Sequence, residues 1–292
     1  MSEELVVAGR VHLIPARGLL ENAEKTILEK LNGGELRYVK DIEIPCTRSM
    51  LIELVVDDEC EVCPYAIELV GELVAKCDKI TAKIYNITYV KEPFEVSATP
   101  AFMVNGVVKW EGIPLGNMKL IEDRLIDAYI RSHPELNSLI ARLKAFADQH
   151  GFKRNPNNRA FTRLIYRLLS NMDRYGYPYC PCRPIKVAGT TQETHELNKD
   201  KVCPCAYAAS EVKLRGRCLC GLFWSEQEVD KYISERLEKY GWVIEELRKL
   251  VEEVSRDNFK EIGSRIIMGG AREYVESIIR VLERIYAYLP ED

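Results

Sequence analysis

No stretch of this 292-residue sequence reaches the run of about 18 apolar residues that a membrane-spanning helix needs, which excludes a helical anchor. The opening Met1-Ser2-Glu3-Glu4 is acidic and lacks the basic-then-apolar form of a secretory signal. Internal repeats and low-complexity tracts are also absent, which sets aside repeat arrays. Cysteine, by contrast, is plentiful. Ten cysteines without a signal sequence point to the cytoplasm, where thiols serve as metal ligands or catalysts rather than staples. Length makes two domains the expectation, and 47% hydrophobic content is enough for two cores. The net charge of −4 hides an asymmetry: residues 137–217 hold 15 Lys/Arg against 6 Asp/Glu, so the remainder sums to −13.

Six of the ten cysteines fall between Cys180 and Cys220, as Cys180-Pro181-Cys182, Cys203-Pro204-Cys205 and Cys218-Leu219-Cys220. A cubane iron–sulfur cluster takes four thiolates, so six thiols leave two, enough for one disulfide. Structural zinc would also take four, but its ligands usually come as Cys-x2-4-Cys; here the pairs are tighter, and a proline stiffens two of them. Zinc, or three buried pairs, stays open as the bland alternative.

The triple pattern, with its helical lead-in Leu143-Lys144-Ala145-Phe146-Ala147 and its tail Cys220-Gly221-Leu222-Phe223, closely resembles the catalytic subunit of ferredoxin:thioredoxin reductase over about residues 137–225. The resemblance implies a 4Fe-4S cluster on Cys180, Cys203, Cys205 and Cys218, with Cys182 and Cys220 as the redox-active disulfide beside it. It also implies that the first electron opens that disulfide with Cys220 held at the cluster, freeing Cys182 to attack a target. The loops between the pairs are longer than in plant members, and Leu219 stands where those have histidine. His195, in the polar stretch between the first two pairs, is either a substitute proton donor or a solvated residue. A basic stretch can mark nucleic-acid binding. Around an electron-entry site, however, it suits an acidic protein donor, and ferredoxin is the expected partner, with neither nucleic acid nor membrane.

Farther upstream, Leu5-Val6-Val7 and Val11-His12-Leu13-Ile14 read as strands, Leu19 to Leu31 as a helix stopped at Gly33-Gly34, and Arg37 to Ile44 as a half-buried strand. His12 and Cys46 are read as packed side chains, and Cys77 as a small buried hydrophobe. Leu51 to Val56 is a buried-strand run followed directly by Cys60-Glu61-Val62-Cys63-Pro64-Tyr65. A helix from about Pro64 to Lys76 follows, with proline in its first turn. A Cys-x-x-Cys at such a turn makes a reactive thiol, because the helix N-terminus stabilises the thiolate. Thr99-Pro100 then leads into the strand Ala101–Val104, a turn at Asn105-Gly106, a strand over 107–111 and a helix over 118–129.

That order, with Cys60, Cys63, Pro64, Ala66 and Thr99-Pro100 in register, resembles glutaredoxin-like thioredoxins and protein disulfide oxidoreductases over about 50–131. The resemblance implies that Cys60 attacks, Cys63 resolves, and a cis Pro100 with Thr99 shapes the substrate-facing loop.

Ser132-His133-Pro134 marks the linker, 135–150 and 157–174 read as amphipathic helices, and everything after Trp224 reads as helical. Val229, Ile233, Leu237, Val243, Leu247, Leu250 and Val254 recur at helical spacing, and 271–289 is a further helix; the tail matches neither family. The expected architecture is an α/β thioredoxin-like N-terminal domain followed by a mainly α-helical iron–sulfur domain with a helical C-terminal extension. Its boundaries are a strand-helix-strand extension at 1–48, the thioredoxin/glutaredoxin-like domain at 49–132, the cluster domain at 135–225 and the extension at 226–292. The expected activity is a ferredoxin-dependent disulfide reductase that passes electrons through Cys182–Cys220 to Cys60–Cys63 in cis and on to target protein disulfides. The alternatives are another electron donor, or a redox sensor without catalysis.

Overall fold

The computed structural model describes residues 4–239 apart from 115 and 237. Its N-terminal half is built on one six-stranded sheet in the order β1-β2-β4-β3-β5-β6: Leu5–Val7, Val11–Ile14, Ile80–Asn86, Met50–Val56, Ala101–Val104 and Val108–Glu111. β4 pairs in parallel with β2 and β3, while β5 and β6 run antiparallel. The central β3 has neighbours on both edges, and its Ile52, Leu54, Val55 and Val56 are fully buried, which is why Met50 to Val56 reads as a near-continuous apolar run. The first two strands belong to this same sheet, through the β2–β4 ladder.

Helix α1 (Ala23–Leu31) packs on α2 (Cys63–Lys76), and α3 (Lys119–Arg131) follows β6. The segment 37–44 is not a strand, contrary to its alternating pattern. Its backbone N–H groups at Arg37, Tyr38 and Val39 donate to the carboxylate of Glu72, a fully buried side chain on α2. Lys76 donates to the carbonyls of Val39, Lys40 and Ile42. Side chains of α2 thus satisfy the backbone that a strand ladder would otherwise have satisfied. Cys46 and Cys77 are likewise neither a lone packed residue nor a free hydrophobe: they form a disulfide that clips this segment to the C-terminal end of α2.

The second half is helical: α4 (Leu136–His150), α5 (Asn158–Tyr175), α6 (Thr191–Glu196) and α7 (Ala208–Arg215), with the small ladder β7 (Lys153–Arg154) and β8 (Phe223–Trp224). The amphipathic readings at 135–150 and 157–174 correspond to α4 and α5. Residues 226–236 are helical, as expected; Leu237, Val243, Leu247, Leu250, Val254 and the 271–289 helix lie outside the described residues. Among the described residues no helix is long and apolar enough to cross a membrane.

The two halves meet along α3 and α5. Arg163 pairs with Glu122 at 2.6 Å and Arg159 with Asp123 at 3.2 Å, while Tyr166 meets Tyr129 edge-on at 5.3 Å. At the other end of the seam, Asp173 of α5 accepts from Tyr129 Oη, from Thr47 Oγ1 at 2.9 Å and from Arg48 Nη1 at 3.2 Å, and lies 3.3 Å from His133 Nε2.

Candidate redox site

Cys60 and Cys63 are joined as a disulfide at the start of α2. The N–H of Cys60 donates to the Asp57 carbonyl, and the N–H of Cys63 to the Cys60 carbonyl, so the chain turns tightly from β3 into the helix. Pro64 fits the first turn, where its missing N–H leaves nothing unpaired. Cys63 is fully buried and Cys60 half-buried, so an incoming thiolate meets Cys60 first. The Thr99–Pro100 peptide is cis, and the Thr99 hydroxyl is hydrogen-bonded to Asp57, which lies just ahead of Cys60.

The six remaining cysteines are brought together by three loops whose backbones hold one another. Gly176, in the left-handed region at φ 79°, ends α5 and turns the chain toward the first pair. Asn171 then donates to the Tyr179 carbonyl. The first two loops are cross-linked where Cys180 N–H donates to the Lys201 carbonyl at 2.8 Å and Cys203 N–H to the Pro178 carbonyl at 2.9 Å. Gly216 at φ 77° ends α7 and leads into the third loop, which Asn155 fastens by donating to the Gly221 carbonyl at 2.9 Å.

The sulfurs converge. Those of Cys180, Cys182 and Cys220 all lie within 4.8 Å of one another, with Cys180 and Cys182 at 3.0 Å; Cys218 and Cys220 are 3.7 Å apart. Hydrogen bonding with the neighbouring Cys205 and Cys220 thiols holds Cys180 well below the ordinary thiol range, while Cys205 and Cys220 are pushed up. Burial pushes Cys203 well above the ordinary thiol range, and the Cys220 hydrogen bond brings Cys218 down to about 7. Closely packed buried thiols disfavour simultaneous ionisation, and a positive centre is what would hold four of them deprotonated together.

Burial divides the six in the same way as the resemblance does. Cys180, Cys203, Cys205 and Cys218 are buried free thiols, whereas Cys182 and Cys220 are half-exposed. Four buried thiols converging from three loops fit the thiolate donor set of a 4Fe-4S cluster. Beside Cys218 and Cys220 opens a cavity of about 440 Å³ lined by Asn155, Arg215, Arg217 and Trp224, with Leu219 half exposed at its edge. His195 is not at the thiols: it sits on α6, stacked on Tyr177 at 3.8 Å and 3.4 Å from Tyr179 Oη. Sequence reasoning missed Arg183 and Glu211 here, and Asp173 at the seam. The contacts that join Arg183 to Glu211 and Thr47 to Asp173 span 28 and 126 positions, for which no local pattern exists.

A thioredoxin-type sheet carrying a bonded Cys-x-x-Cys, joined to a six-thiol site, defines a disulfide oxidoreductase. Comparison with known families narrows this. Residues 131–246 match the family model of the ferredoxin thioredoxin reductase catalytic beta chain, and residues 50–120 match a thioredoxin domain. The two matches stand in the order the motifs imply, as a fusion on one chain, and the first runs past residue 226 into the tail that had resembled neither family. Among solved structures, the N-terminal domain of alkylhydroperoxide reductase AhpF from Enterococcus faecalis is similar at 16% identity and a TM-score of 0.32, covering 39% of this chain and 57% of that one. A variant of the AhpF subunit from the same organism gives the same values. The chain thus spans little more than half of these structures. No curated protein matches it.

Proposed function

We propose that the protein is a ferredoxin-dependent disulfide reductase whose target in cis is its own thioredoxin-like module. The observation that carries this reading is the division of six convergent thiols into four buried and two half-exposed. Cys180, Cys203, Cys205 and Cys218 would hold a 4Fe-4S cluster, which supplies electrons one at a time to a two-electron disulfide. Cys182 and Cys220, whose sulfurs lie within 4.8 Å, form the exchanging pair.

With that pair reduced, the half-exposed Cys182 thiolate attacks Cys60 Sγ. The Cys60–Cys63 bond breaks, and Cys63 leaves as a thiolate at the N-terminus of α2, where the helix dipole favours negative charge. Cys220 then attacks Cys182, which re-forms Cys182–Cys220 and leaves Cys60 and Cys63 as the dithiol that reduces target proteins. Two further electrons from the donor restore Cys182 and Cys220. The excess of Lys/Arg over 137–217, including Arg215 and Arg217 beside Cys220, suits an acidic donor.

The test is an iron and acid-labile sulfide count on anaerobically purified protein and its serine variants. Wild type and Cys182→Ser keep four irons per chain under this reading, and Cys203→Ser loses them. Equal iron loss in both variants, or zinc in place of iron, overturns it.

A further inference from the structure

Glu211 touches no sulfur, yet its carboxylate spans the two loops that carry the exchanging thiols. It sits on α7, which leaves the second cysteine pair and leads to the third. One oxygen, Oε1, accepts from Arg183, the residue directly after Cys182. The other, Oε2, accepts the N–H of Leu219, directly before Cys220, at 2.8 Å. Arg215 adds a longer contact to Oε1 at 3.4 Å. The Glu211 side chain is 14% exposed and that of Arg183 is 18% exposed, so water competes little for the bond between them. Arg183 is fixed further by Tyr207, whose ring lies 4.1 Å beneath the guanidinium. Of the described carboxylates, only Glu211 is seen joining the neighbours of both thiols.

We infer that Glu211 is a positioning residue for the Cys182–Cys220 couple: by tying Arg183 to the Leu219 N–H it holds the two sulfurs within bonding reach and so sets how readily the disulfide closes. This rests on the reading of Cys182 and Cys220 as the exchanging pair. Two bonds to one carboxylate, one of them charge-assisted, restrict both loops; losing the bridge lets each move independently and lowers the effective concentration of one thiol at the other. Glu211→Gln cannot accept both bonds through charged oxygens, and about a tenfold weaker closure follows. For a two-electron couple, tenfold corresponds to about 30 mV toward easier reduction.

The experiment is a redox titration of the full-length protein in glutathione buffers. Mass tagging of Cys182 and Cys220 is the readout, with iron content measured in parallel. Glu211→Gln is expected to shift the couple toward easier reduction by about tenfold in equilibrium constant while iron content stays at the wild-type level. Glu211→Asp, which keeps two charged oxygens, recovers part of the shift. A Glu211→Gln couple equal to wild type overturns the assignment. So does iron loss that tracks the shift and is not reversed in Glu211→Asp, because that marks a general structural role. A wild type in which Cys182 and Cys220 never close a disulfide overturns the underlying reading instead.

Discussion

The side chain of Asp173 is only 9% exposed, and the seam between the two halves converges on it, so replacing it by alanine is a direct test of how that seam is held. Four partners lose their acceptor: Tyr129 Oη, Thr47 Oγ1, Arg48 Nη1 and His133 Nε2. Tyr129 is 2% exposed, and its hydroxyl loses its acceptor, keeping only Thr47 Oγ1 at 3.0 Å, at a cost of about 1–3 kcal/mol. The bonds from the uncharged donors Thr47 and His133 add about 1 kcal/mol each, and the half-exposed Arg48 adds at most about 1. Partial rearrangement of Thr47 toward Tyr129 trims the sum, so Asp173→Ala should destabilise the protein by about 3 kcal/mol.

Acid should loosen the same seam. His133 Nδ1 accepts the Glu135 N–H at 3.1 Å, so the ring is neutral and Nε2 donates to Asp173. Burial foremost, with the nearby Arg48 charge, outweighs Asp173 and Glu135 and holds His133 below its ordinary value of 6.5. Its contribution is therefore complete above pH 6.5 and is lost as pH falls through the depressed folded value. Asp173 follows: burial opposes its charge, but hydrogen bonds from Tyr129, Thr47 and Arg48 prevail and hold it below 3.8, so its share is complete above that pH and lost beneath its folded value. Urea unfolding from pH 8 to pH 4 measures the histidine effect, and its extension to about pH 2 the Asp173 effect. A loss under about 1 kcal/mol in Asp173→Ala, or stability that rises on acidification through the histidine range, refutes the assignment.

Three more outcomes follow from the geometry. Reduction by an acidic ferredoxin should slow steeply as salt is raised, since exposed charges are screened within about 10 Å at 0.1 M; a rate flat in ionic strength counts against docking on the basic region. Protein carrying Cys63→Ser and Cys220→Ser should trap a Cys182–Cys60 bridge on oxidation, within one chain or between two, whereas Cys60 bridged only to outside proteins denies direct exchange. Cys46→Ser should cost about 3–4 kcal/mol, from the 31-residue loop that Cys46–Cys77 closes; a loss below about 1 kcal/mol in urea unfolding means the Glu72 and Lys76 contacts alone hold the 37–46 segment.

The parts that sequence could reveal share one property: their pattern is local. Three Cys-x-Cys pairs, a Cys-x-x-Cys between strand and helix, and the 3.6-residue periodicity of α4 and α5 each announce themselves within a few residues. The misread 37–44 strand shows the limit. It buries Val39 and Ile42, three residues apart, which a strand would place on opposite faces, and the partner of its N–H groups is a carboxylate more than 30 positions away. β4 was legible and passed over: Ile80, Ala82, Ile84 and Asn86 alternate as its buried face. The Cys46–Cys77 bridge had no signal, because two cysteines 31 apart look like two unrelated residues until the fold brings them together.

Helix α2 carries a disulfide at each end, Cys60–Cys63 at its head and Cys46–Cys77 at its foot, about 20 Å apart for a helix of 14 residues. The bonds that join the two halves run from 43–48, His133 and α3 to α5, and Cys60 and Cys63 lie outside that set. Residues 132–135, between α3 and α4, reach at most about 14 Å when extended. A module that lets go of α5 and swings on this tether delivers Cys60 at a rate indifferent to dilution. A module held where Cys60 cannot reach Cys182 hands electrons over only by collision with another copy, and the reaction becomes second order in protein. Asp173, by setting the strength of that grip, would then govern the kinetic order of the enzyme's internal step.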